Sequence, residues 1–120
     1  MGRDVKAFGI SRTLMGETLT ARVLILDEGL HVSVYGGSRT HIGAVSIVDP
    51  EGRQTDVEFP GHKDGVIAGR WASAFGRILC PVVVEAGIHY DALDRKGIQE
   101  VLQVTDEMLD EAVREMTGGS

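Results

Sequence analysis

Thr18-Leu19-Thr20-Ala21-Arg22-Val23-Leu24-Ile25-Leu26-Asp27-Glu28-Gly29-Leu30-His31-Val32-Ser33-Val34-Tyr35 decides the fold. Successive side chains of a strand point to opposite faces, so Thr18, Thr20 and Arg22 fall on one side and Leu19, Ala21 and Val23 on the other. Asp27-Glu28-Gly29 is a turn signal. Leu30, Val32 and Val34 then alternate with His31, Ser33 and Tyr35. The stretch predicts a β-hairpin with one apolar and one polar face.

Working outward, residues 4–15 lean towards an extended first strand. Downstream, Ile42 to Val48 predicts another strand, Asp49-Pro50-Glu51-Gly52 a turn, and Thr55 to Phe59 the returning partner. From Lys63 to Leu79 the period changes. Ile67, Trp71, Ala74, Phe75 and Ile78 recur at helical spacing, which predicts a helix with Trp71 in the core. Gly65, Gly69 and Gly76 each weaken it by about 1 kcal/mol relative to Ala. Gly65 and Gly69 lie four apart, as close packing on a sheet or a partner would require. Pro81 to Ile88 is the most apolar run and predicts a central strand, with Pro81 at its first position. Asp94 to Met116 predicts helix, with an apolar stripe through Ile98, Val101, Leu102, Met108, Leu109, Ala112, Val113 and Met116. Thr105 is expected to cap a second helical segment there, with Asp106 and Glu107 in its first turn. Residues 117–120 read as a frayed tail. The expectation is one α+β domain over residues 1–120, a largely antiparallel sheet with helices on one face.

The chain has 120 residues and a net charge of −6. Residues 94–116 hold seven acids and three bases, so most of the negative charge sits there. No basic stripe supports nucleic-acid or anionic-membrane binding. A small anion held by a few cations remains compatible. The single Cys80 excludes an internal disulfide and fits a reducing compartment. It lies in an apolar run and reads as a structural thiol. No apolar run reaches the roughly 20 residues needed to span a bilayer, and no signal-peptide pattern is present, so the cytoplasm is expected.

Three stretches could carry chemistry: Gly36-Gly37-Ser38-Arg39-Thr40-His41-Ile42-Gly43, Gly61-His62-Lys63-Asp64-Gly65 and Gly87-Ile88-His89-Tyr90-Asp91. Paired glycines in a loop can leave N–H groups free for an anion, and Arg39 can clamp a phosphate. His62 and Lys63 stand where a helix begins, and its free N–H groups favour negative charge. His89 and Asp91 are two apart, on one face of a continuing strand. Each stretch alone reads equally as structure: a glycine-rich hairpin, an Asp64 helix cap, or a strand end with Asp91 or Asp94 capping the next helix. No Walker loop, zinc-protease motif, nucleophile elbow or Cys-x-x-Cys is present.

Taken together, Gly36 to Val45, Gly61 to Asp64, the alanine-rich helix that follows and Gly87 to Asp91 resemble the LpdD-like prenylated-flavin chaperones. These are small accessory proteins of hydroxyarylic acid and gallate decarboxylase systems, and the resemblance runs over about residues 30–115. It implies a non-catalytic helper that binds prenylated FMN, or FMN, and assists its delivery or maturation. Its partners would be a UbiD-type decarboxylase and the flavin prenyltransferase that makes the cofactor. The implied cofactor residues are Gly36, Gly37, Arg39, His41, Gly61, His62, Lys63 and His89. Arg39, Lys63 and the helix start would hold the phosphate. His41, His62 and His89 would line the ring system or bind a divalent metal. Two other functions fit the same residues: a small metal-dependent enzyme using the His and Asp groups, and a ligand-free accessory subunit of a decarboxylase acting through its acidic C-terminal helix. A homodimer is expected through the stripe at 98–116 or the face bearing Gly65 and Gly69.

Overall fold

The computed structural model describes residues 6–61 and 63–118. His62, the start of the expected first strand and the last two residues of the expected tail lie outside the described residues. The elements run β1 (Lys6–Leu14), β2 (Glu17–Leu26), β3 (Gly29–Gly37), β4 (Arg39–Val48), β5 (Gln54–Glu58), α1 (Gly65–Gly76), β6 (Val82–His89) and α2 (Arg95–Met116). The architecture is α+β, as expected.

The decisive hairpin forms with Ala21 opposite Val34 and Val23 opposite Val32. Their shared face is fully buried, while Arg22 and Thr20 face away from the core. β1 adds antiparallel to β2. β4 and β5 form a second hairpin about Asp49, whose Oδ1 accepts the N–H groups of Glu51 and Arg53. The Arg53 N–H foremost holds the Asp49 carboxyl below its ordinary range.

The sheet order is β1-β2-β3-β6-β4-β5. The last strand thus inserts between β3 and β4, parallel to the former and antiparallel to the latter. Burial explains the place of β6. Val82, Val84 and Ala86 are buried under the helices, and Val83 is half-buried on the other face. A strand apolar on both sides belongs at the middle of a sheet.

Both helices cover one face. α1 packs on β4, β5 and β6, and α2 packs on β1 and α1. Trp71 and Phe75 are fully buried with ring centroids 6.0 Å apart, and Met108 of α2 joins them. Gly76 lies against Val48 and Gly65 against Glu58, so these helix glycines allow close packing on the sheet. Ion pairs Arg70–Asp106 and Arg12–Glu111 tie α2 to α1 and β1. Thr105 does not cap a second segment. It is buried inside one continuous α2, and its hydroxyl donates to the Val101 carbonyl four residues back at 2.8 Å. That bond satisfies the hydroxyl without breaking the helix. Asp94 is the true cap, accepting the Gly97 N–H at 2.7 Å.

Candidate functional site

The first glycine-histidine stretch is not a loop. Only Ser38 separates β3 from β4. Because β6 lies between these strands, the chain must step across its end. Ser38 makes that arch, its N–H and hydroxyl both donating to the His89 carbonyl, at 2.7 and 3.3 Å. Gly37 has φ +89°, and a Cβ there would stand 2.0 Å from the same carbonyl oxygen. At Gly36 the Thr18 carbonyl would be 2.2 Å away. Sequence reasoning opened these two glycines to a ligand. Instead, their missing side chains admit neighbouring backbone.

A second irregularity sets His41. Two steps along β6, from Ile88 to Ala86, face four along β4, from Thr40 to Ala44. The bulge brings the His41 carbonyl against Gly87, where a Cβ would lie 1.7 Å from the oxygen. Bulges of this kind re-aim side chains. His41 Nε2 lies 3.1 Å from Asp64 Oδ2.

Asp64 is the residue that sequence reasoning undervalued. It occupies the position before α1, yet its side chain caps nothing. The buried carboxylate turns inward, accepting the Ile88 N–H at 3.0 Å through Oδ1 while Oδ2 meets His41. The helix is capped instead by Glu58, whose Oε2 accepts the Gly65 N–H at 2.8 Å. A carboxylate therefore occupies the leading N–H of the helix start, where the sequence suggested a phosphate. The only sequence signal for Asp64 was its place in Gly61-His62-Lys63-Asp64, where capping was the simpler reading.

The third stretch meets the first. Arg39 pairs with His89 across the sheet. His89 Nε2 lies 3.1 Å from Arg39 Nη2 and 3.0 Å from Asp91 Oδ1. One ring nitrogen can accept from the guanidinium or donate to the carboxylate, so the two contacts are alternatives. The His41 and His89 rings stand edge to face, 6.3 Å between centroids. Gly61, Lys63, Asp64, Ile88 and Tyr90 complete a cleft of about 260 Å³ around them. Beneath it Ile67, Val101 and Leu102 line an apolar recess of about 120 Å³ that shares Lys63, Asp64, Ile88, Leu93 and Ile98 with the cleft. Tyr90 donates to the Leu14 carbonyl at 2.7 Å. Burial, reinforced by Glu17, raises its pKa above the ordinary phenol value. Lys63 lines the cleft and is exposed, and Arg39, also exposed, is joined to the cleft through His89.

Trp71 is sealed in the core and does not reach the cleft. Cys80 is half-buried, its thiol donating to the Gly76 carbonyl. Among the described residues no three His, Cys, Asp or Glu side chains are grouped to hold a metal. The Arg39 guanidinium beside His89 Nε2 also opposes a cation there. No helix among the described residues is long and apolar enough to cross a membrane.

No curated protein matches the chain. A solved structure of a novel chaperone complex for yeast 20S proteasome assembly is similar over 92% of this chain and 97% of that one. The TM-score is 0.57 at 16% identity, a likeness of fold. The prenylated flavin chaperone LpdD-like domain matches residues 14–117. The chain belongs to the LpdD-like prenylated flavin chaperone family.

Proposed function

We propose that this protein carries prenylated FMN in the cleft between the β3–β4 arch, the end of β6 and the start of α1. It receives the cofactor from a flavin prenyltransferase in the cytoplasm and hands it to a UbiD-type decarboxylase, without catalysing a reaction itself. One observation carries the reading. In a chain of this family, His41, Lys63, Asp64 and His89 line a single polar cleft that continues into an apolar recess, with the Arg39 guanidinium set on His89. The resident group, when bound, supplies the flavin chemistry that the decarboxylase later uses.

The residues have separable roles. Arg39 and Lys63 are the cations at the rim and hold the phosphate. Releasing His89 to Asp91 frees the Arg39 guanidinium for that task. His41, fixed by Asp64, presents its ring to polar groups of the ligand. The apolar recess takes the hydrocarbon part of the ligand. Gly36 and Gly37 serve by shaping the arch, and Gly61 by lining the cleft. His62 belongs to the same stretch and is included in the ligand set on sequence grounds alone. The cleft is small beside the roughly 300–1,000 Å³ of typical ligand pockets. Partial enclosure suits a carrier that must release its cargo.

Flavin fluorescence and absorbance titrations test this. Wild-type protein is expected to bind prenylated FMN at micromolar concentration. Arg39→Ala, which removes a charge-assisted phosphate contact worth about 1.5–3 kcal/mol, should weaken binding roughly ten- to hundred-fold. Absence of binding by the wild type to both FMN and its prenylated form would falsify the proposal.

A further inference from the structure

The apolar recess beneath the cleft has the size of one small hydrocarbon group, and α2 builds most of its wall. Ile98, Val101 and Leu102 come from the first two turns of α2, Ile67 from α1, Ile88 from β6 and Leu93 from the turn between β6 and α2. Ile67 and Val101 are buried, while Ile98, which also lines the cleft, is 42% exposed. The two polar members ask nothing of a ligand here. Both Asp64 oxygens already have partners in the Ile88 N–H and His41, and Lys63 is open to water. The buried side-chain atoms left without a partner among the described residues, Ser46 Oγ and Trp71 Nε1, belong to residues outside the recess. A polar group entering it would lose its water and find no new bond.

Gly97 shapes this recess without lining it. It is buried in the first turn of α2, where a glycine weakens a helix. Packing gives the reason. A Cβ there would stand 2.6 Å from Leu93 Cδ2 and 3.2 Å from Asp94 Oδ1, the oxygen that caps the helix. The missing side chain lets Leu93 fold back against α2, and Leu93 then walls both the recess and the cleft.

We infer that the recess is a subsite for a branched five-carbon hydrocarbon, and that it makes the cleft prefer prenylated over unmodified FMN. This rests on the flavin reading and goes beyond it, since that reading admits either flavin and the recess separates them. Size carries the inference. The recess measures about 120 Å³, and an apolar cavity of about 150 Å³ takes up one benzene, with its six carbons. A prenyl unit has five carbons and fits, whereas the fused rings of a flavin are too large to enter. Moving one methylene from water into apolar surroundings is worth about four-fold in affinity, so burying two or three of the five carbons favours the prenylated form by about 15- to 60-fold. Unmodified FMN leaves the recess unfilled and gains none of this. Leu93 and Gly97 are then positioning residues for selectivity, because they set the width of the recess.

Titrations with FMN and with prenylated FMN, beside methyl NMR with 3-methylbut-2-en-1-ol, the prenyl unit as a free alcohol, test it. The wild type should bind prenylated FMN about ten-fold or more tighter than FMN. The alcohol should shift the methyl signals of Ile67, Val101 and Leu102. Gly97→Ala, which pushes Leu93 into the recess while favouring the helix, should bring the two flavin affinities to within about three-fold of each other. Val101→Phe, which fills the recess from α2, should do the same. Circular dichroism confirms the fold of each, and if Val101→Phe does not fold, Gly97→Ala decides. Equal wild-type affinities for the two flavins, or a ratio that the folded variants leave unchanged, overturns the inference. Binding of neither flavin removes the flavin reading itself. The alcohol then decides the subsite: shifts at Ile67 and Val101 support it, and their absence overturns it.

Discussion

Asp64 shows how much one carboxylate organises. It ties β6 through the Ile88 N–H and β4 through His41, while buried against the start of α1. Asp64→Ala leaves a buried N–H without an acceptor, at a cost of about 1–3 kcal/mol read by denaturant melts. Asp64→Asn keeps one acceptor oxygen and should cost less. Gly37→Ala is a sharper test of the arch. With φ +89° and the His89 carbonyl in the way, it should lose about 3 kcal/mol or more, whereas Gly52→Ala, with open space around it, incurs only the backbone strain. Tyr90 gives a pH signature. Its folded pKa is raised, so its contribution is complete below the unfolded phenol value near 10 and is lost as pH rises through the folded value. Thermal melts of Tyr90→Phe should lose about 1 kcal/mol at neutral pH and show a shallower alkaline decline. Sequence marked the histidines and Arg39 as candidates, because such groups with glycines suggest a site. It could not reveal the partners of Asp64, since a capping aspartate and an inward aspartate have the same sequence.

At the scale of elements, periodicity carried far. Alternation of Leu30, Val32 and Val34 and the three- to four-residue spacing of Ile67, Trp71 and Phe75 are consequences of burial, so strands and helices were legible. The misses came where side chains chose between local partners. Thr105 bonds back into its helix instead of capping, and Glu58, seven residues away, caps α1 in place of Asp64. Glu58→Ala should therefore cost about 1 kcal/mol of stability, the usual worth of a cap. It should also leave flavin-phosphate affinity equal or higher, because it removes a competing carboxylate from the helix start. A loss of affinity measured by titration would put Glu58 itself in the ligand site.

For the whole molecule, the two hairpins were readable because their partners are adjacent in sequence. The insertion of β6 between β3 and β4 was not. Strand character says little about which distant neighbours a strand takes, and here a late strand separates two that follow each other in the chain. That insertion makes the Ser38 arch necessary, brings Arg39 to His89, and turns three separated motifs into one cleft. Occupancy of this cleft by flavin is read by amide chemical-shift mapping on addition of prenylated FMN, or FMN. Shifts should concentrate at Ser38, Gly61, Lys63 and Ile88, with Ile47 and Val57 on the open face unmoved. Shifts centred on the open face or on the groove between α1 and α2, with the cleft amides still, would contradict it.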